Sequence, residues 1–398
     1  MSIKPDLDRV PATSEAEATS TRQGRVDTEA ATDKKSIQTA SQGKLMWRAF
    51  RRNKLAVAGG VVVIAIYLVA LFADFLAPAA PGTFNSDYLY APPQRVHVVS
   101  TDSAGERTVG LHVLGYVSEM DPDTYAITYE PNPDDVIEMG FFVEGDPYRF
   151  LGLFDSSTHL FGPVDAQDKV FLLGADSSGR DVLSRLIHGA RISMTVGLLG
   201  VAFAFVLGVL LGGISGYFGG KVDTVIQRLV ELFMSIPTLP LWLGLAAALP
   251  RDMTPLTRYF AITVILAIVA WTDLARVTRG RFLSLRQEEF VTAAHLDGNR
   301  LPRVLFRHML PSFSSHLIAS LTLSIPGMIL AETSLSFLGV GLQAPIVSWG
   351  VLLQDAQNIR AIATAPWLMA PGAAVVIAVL ALNFVGDGLR DAADPYSQ

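Results

Sequence analysis

The chain has 398 residues, half of them hydrophobic and only 17% charged, with a formal net charge of −6. A mean hydropathy of +0.38 together with long apolar runs excludes an ordinary soluble enzyme and places the chain in the membrane class. Cysteine is absent, which excludes disulfides, thiolate metal sites and cysteine nucleophiles.

Residues 1–44 are rich in Ala, Thr, Ser, Asp and Glu and offer little apolar surface to bury, so a disordered cytoplasmic tail is expected. The first apolar run starts at Leu55 without a small-residue cleavage site in the right place, so it should stay as a membrane anchor. Residues 45–78 read as a short interfacial helix, with Trp47 among Arg48, Arg51, Arg52 and Lys54, followed by the first span at about 55–77. Further spans are expected at about 192–214, 224–249, 259–277, 312–331 and 367–389. The class is therefore an all-α polytopic membrane protein with six transmembrane helices, five of them in a core at 191–390, and with a tail at 391–398.

Between the first two spans, residues 79–190 form an acidic insertion expected to lie outside the membrane. Apolar and polar residues alternate at 95–99 and 125–129, which predicts half-buried strands and a small β-rich extracytoplasmic domain. Pro131-Asn132-Pro133 is read as a turn. Orientation follows from Lys and Arg in the loops. The basic segment before span one and the loop after span four, with Arg276, Arg279, Arg281, Arg286, Arg300, Arg303 and Arg307, fall on one side. That side is expected to be the cytosol, with both termini in it, in an inner (plasma) membrane.

Three features invite functional readings. Gly208, Gly212 and Gly216, within a longer run of small residues at four-residue spacing, form one helix face that another helix can approach closely. Pro237 and Pro240 should break span three, where an irregular backbone either lines a pathway or is a structural kink. Glu231, Asp273 and Glu332 lie in or near apolar spans, and Glu332, near the outer end of span five, is a candidate pathway residue with Thr333 and Ser334 beside it. His188 and His316 read as isolated, and no metal site or catalytic constellation is expected. Gly219-Gly220-Lys221 is followed by Val222 rather than Ser or Thr, so no phosphate loop is present and any ATPase must be another polypeptide.

Four stretches carry a resemblance: Arg51-Arg52-Asn53-Lys54-Leu55-Ala56; Leu173 through Arg185 with Gly189-Ala190-Arg191-Ile192-Ser193; Gly216-Tyr217-Phe218-Gly219-Gly220; and Ala331 through Gly339 with Ser348-Trp349-Gly350 and Gly386 through Asp391. In this order they resemble the C-type permease subunit of dipeptide and oligopeptide ABC importers, over about 44–395. The resemblance implies the type I importer fold of six transmembrane helices. It also implies partners: a second homologous permease, two ATPase subunits that bind ATP and Mg, a soluble solute-binding protein and membrane lipid, with no nucleic acid. The chain itself would bind no cofactor.

The loop at 279–311 resembles the coupling segment that docks on the ATPase, matching at Ala293, Ala294, Gly298, Leu310 and Pro311. Thr292 stands where a Glu is usual and His308 where an Ile is usual; Glu288 and Glu289 lie one turn upstream of the missing acid. The insertion is longer than expected for a dipeptide permease and resembles the extended form of some oligopeptide-like and oligosaccharide-like importers, so oligosaccharides and opine-like or nickel solutes stay open beside peptides. A secondary transporter driven by an ion gradient would need paired carboxylates or broken helices in both halves, and no internal repeat is visible.

Overall fold

The computed structural model describes residues 42–101, 107–120, 122–123 and 127–393. Of the expected tails, 1–41 and 394–398 lie outside the described residues. Helix α1 (Gln42–Arg52) leads into α2 (Lys54–Leu71), whose first turn is capped by Asn53 Oδ1 accepting from the Ala56 N–H at 3.2 Å. Val57, Val61, Ile64, Leu68 and Leu71 are exposed along one stripe of α2, while Gly59 on the other side lies against the Ala381 carbonyl. After Phe72 a short helix, α3 (Ala73–Leu76), carries the chain into the insertion.

The remaining helices are α4 (Val182–Phe218), α5 (Gly220–Ser235), α6 (Thr238–Ala247), α7 (Pro255–Leu285), α8 (Glu289–Leu296), α9 (Ser314–Phe337), α10 (Trp349–Asp355), α11 (Ile359–Thr364) and α12 (Ala370–Ala393). Among the described residues, five helices are long and apolar enough to cross a membrane, and α5 with α6 makes a sixth pass only as a pair bent by 86°. Of the six expected spans, five are single helices, and the third, which Pro237 and Pro240 were expected to break, is this bent pair. Ile236 has an extended backbone because the residue before a proline is pushed out of the helical region. Pro237 then caps α6, and Pro240 sits in its first turn, where a missing N–H is harmless.

Helix α4 is the axis of the bundle and contacts α2, α7, α9 and α10. It starts well before the expected 192, inside the segment assigned to the insertion, because Asp181 caps it by accepting from the Leu183 and Ser184 N–H groups. At about 1.5 Å per residue it is about 55 Å long, more than a hydrocarbon core needs. The main core gathers Val196, Ile262, Leu266, Met328 and Leu335 from α4, α7 and α9. Gly388 of α12 meets Ala56 and Phe50, so the chain's two described ends lie together.

The insertion is a four-stranded antiparallel sheet in the order β1 (His97–Thr101), β2 (Arg107–Met120), β3 (Ile127–Phe150) and β4 (Phe154–Pro163). The first half of β3 pairs with β2 and the second half with β4. Pro131–Pro133 is therefore not a turn between strands. Gly115 pairs with Asn132 and Leu114 with Val136, so the residues between bulge out of a continuous strand. Val113, Ile137, Met139 and Val170 form the insertion's small core.

Candidate functional site

The loop between α7 and α9 begins at the Arg286 end of α7 and folds into α8. Gly298 ends α8 with φ +74°, a left-handed conformation that a side chain resists. Its N–H and that of Asp297 close the last turn on the His295 and Ala293 carbonyls, and Asn299 Nδ2 donates to the Ala294 carbonyl at 3.0 Å. The chain then runs through Leu301–Arg303, a wider π-helical turn at Val304–Met309 and Leu310–Ser312 into α9.

The two faces of α8 differ. Val291 and Ala294 are buried in a cluster with Val304, Met309 and Phe313 from the loop, Phe282 and Leu274 from α7, and Val209 from α4. Thr292, Ala293 and Phe290 are exposed, and Leu296 is 85% exposed. With Phe290 41% exposed on the same helix, α8 presents apolar side chains on its outer face. The expected Ala293-Ala294 pair is thus divided: Ala294 packs inward and Ala293 faces out. Leu310 is half-buried beside an apolar cavity of about 220 Å³ shared with Ile214, Phe282 and Phe306, and Pro311 starts the turn into α9. Thr292 Oγ1 reaches only its own helix, at the Glu288 carbonyl, and neither Glu288 nor Glu289 makes an ion pair among the described residues.

One contact ties this loop to the end of α4 and another ties α7 to α5 just before the loop, and the sequence reading assigned a role to neither. Tyr217 Oη lies 2.8 Å from His295 Nε2, joining the end of α4 to α8. Arg279 of α7 holds Asp223 of α5 through two bonds, at 2.5 and 2.6 Å. The motif Gly216-Tyr217 was a visible signal for the first, since it places an aromatic hydroxyl at a helix end; the second had none.

The glycine face of α4 is turned toward α7. A Cβ on Gly212 would lie 2.4 Å from the Ala275 carbonyl, one on Gly216 2.6 Å from that of Arg279, and one on Gly208 2.8 Å from Leu274 Cβ. Helices α4 and α7 are therefore in backbone contact. Pro237 stands at the α5–α6 break and is exposed. Glu332, by contrast, is fully buried. It accepts from Ser193 of α4 at 3.2 Å, from Ser336 at 2.8 Å and from Ser348, the cap of α10, at 2.8 Å. Thr333 and Ser334 do not take part: Ser334 bonds the Leu330 carbonyl and Thr333 Oγ1 is unpartnered. The carboxylate thus locks α4, α9 and α10 together and is walled in by this chain's own side chains.

On the insertion side, His188 is not isolated. Its Nε2 lies 3.2 Å from Asp74, which Arg191 also holds at 2.8 Å while donating to the Ala70 carbonyl at the end of α2. Burial alone would raise the Asp74 pKa, but the His188 and Arg191 contacts outweigh it and bring it to about 2. Asp181, enclosed at the start of α4, is pushed up to about 6 by burial, with Ser184 pulling it partly back and Asp176 adding to the rise.

Residues 208–396 match the family described as binding-protein-dependent transport system inner membrane component, and residues 41–93 match the N-terminal TM domain of oligopeptide transport permease C. The oligopeptide transport system permease protein OppC of Haemophilus influenzae is 36% identical over 64% of this chain and 80% of its own length. The di/tripeptide transport system permease protein DppC of Pseudomonas aeruginosa is 30% identical over 90% of this chain and 94% of its own. The chain belongs to this permease family. It is a membrane-spanning permease subunit of a binding-protein-dependent importer. A chain of the inward-facing MetNI methionine ABC transporter overlaps 53% of this chain and 97% of its own, at 19% identity and a TM-score of 0.42.

Proposed function

We propose that this permease carries peptides, delivered by a soluble binding protein, through a path it forms with a second homologous permease of the type I importer fold. Two ATPase subunits, which bind the ATP and Mg, dock on α8 from the cytosol, where both termini lie. The names of the relatives support the substrate class. The observation that carries the coupling reading is the divided helix α8. Its outer face offers Phe290, Ala293 and Leu296 to a partner, and its inner face is fixed to α4, α7 and α9 through Ala294 and its cluster. A push on α8 is therefore a push on the bundle. The basic loop side and the absence of a phosphate loop agree with docking on a separate ATPase.

The test is Leu296→Glu in the reconstituted four-subunit complex, with peptide uptake and ATP hydrolysis followed together. Uptake should fall while the bundle stays folded, because Leu296 is 85% exposed and outside the buried cluster that seats α8. Normal uptake with normally stimulated ATP hydrolysis would remove α8 as the docking element.

A further inference from the structure

The hairpin of β3 and β4 ends in Phe150-Leu151-Gly152-Leu153-Phe154. Leu151 is 48% exposed, Leu153 73% and Phe154 58%. Three large apolar side chains side by side at a strand turn are unusual for a domain surrounded by water, where turn positions favour Gly, Asn and Asp. Leu151 is stranger still, since it holds φ +49°, a conformation that disfavours a bulky side chain.

The position of this tip explains its composition. Phe150 stacks on Phe72 with ring centroids 5.8 Å apart, and Phe72 is the residue that ends α2. A second ring contact, Phe142 to Phe75 at 6.2 Å, holds the same hairpin to α3. The tip is therefore level with the end of a membrane span. The exposed apolar stripe of α2, from Val57 through Leu68 to Leu71, ends at Phe72, whose ring stacks on Phe150 beside the exposed Leu151, Leu153 and Phe154. Immediately behind the tip stands an exposed ion pair, Arg149 to Asp155 at 3.2 Å. Apolar side chains at the end and charges one step behind match the order of acyl chains and headgroups at a bilayer surface.

We propose that the tip, residues 150–154, is a membrane anchor: Leu151, Leu153 and Phe154 insert into the lipid leaflet that meets the outer end of α2, with Arg149 and Asp155 among the headgroups. The insertion is then held at two places, by its chain connections to the bundle and by lipid at the hairpin end. That arrangement fixes its orientation above the membrane.

The absence of cysteine makes the test direct. Leu153→Cys, Phe154→Cys and, for comparison, Asp155→Cys and Glu119→Cys on β2 are each labelled with nitrobenzoxadiazole in the full chain in phosphatidylcholine nanodiscs. Labels at 153 and 154 should emit to the blue of the label at 119 and lose most of their intensity when the lipid carries bromine on its acyl chains. The label at 155 should lose less. Emission at 153 and 154 like that at 119, quenched by acrylamide and not by brominated lipid, would overturn the proposal. So would labels shielded from both quenchers, which would mean that protein covers the tip.

Discussion

Replacing Gly212 by Ala should loosen the bundle, whereas the same change one residue on should not. A Cβ at 212 would lie 2.4 Å from the Ala275 carbonyl oxygen and 2.9 Å from both Ala275 Cα and Thr278 Cβ. Non-bonded carbon atoms rest about 3.5–4.0 Å from their neighbours, so α4 and α7 must part by about 1 Å at this point. A gap of that size forfeits up to about half of each dispersion contact around it, including those at Gly208 and Gly216 one turn away on either side. Overpacking of this kind costs about 1–3 kcal/mol. At Gly213 the nearest atoms are those of the Phe282 ring at 3.6–3.8 Å, an ordinary contact. There an Ala gains about 0.5–1 kcal/mol over a helical Gly. The two variants share their chemistry and helix, so they should move the midpoint of SDS-driven unfolding of the purified protein in opposite directions. If Gly212→Ala were neutral or stabilised like Gly213→Ala, the backbone contact between α4 and α7 would not be what holds the pair.

Glu332→Ala should lower stability by about 1–3 kcal/mol, because three buried serine hydroxyls lose their acceptor, while Glu332→Gln should keep most of the bonding; equal loss in both, by the same unfolding assay, would mean that charge and not bonding is what matters there. Asp74→Asn should cost on the order of 2 kcal/mol near neutral pH. Because the folded-state pKa of Asp74 is depressed, that contribution exists above about 4 and is lost as pH falls towards 2, so wild type and variant should converge in acid. Asp181 has the opposite sign: its pKa is raised to about 6, so its contribution is full below about 4 and is lost as pH rises through 6. Asp181→Asn, which keeps a capping oxygen, should flatten the stability profile between those values, and an unchanged slope would show that another group titrates there.

The sequence made most of the membrane spans, the strands of the acidic insertion and the helix ending at Gly298 legible because each is local. Apolar runs, charge asymmetry and Gly298 can be read from neighbouring residues. Four-residue spacing of small residues is likewise a property of one helix. What escaped were the meetings of distant residues. Glu332 read as a candidate pathway residue near the end of a span, and its partners Ser193 and Ser348 lie far from it in sequence. His188 looked isolated because its partner Asp74 is on another helix. Pro131-Asn132-Pro133 carried the composition of a turn, but pairing with β2 on both sides kept it inside a strand.

The length of α4 has a mechanical meaning. Its first residues are bonded into the insertion, through Ser184 Oγ to the Ala79 N–H, and its last turn is bonded to α8 through Tyr217. A stiff rod of about 55 Å between those points turns small rotations into large displacements. Pivoted at one end, a tilt of about 5° carries the other end sideways by about 5 Å, as far as one turn of helix. One continuous helix can therefore report the state of one membrane face to the other with no moving joint between them.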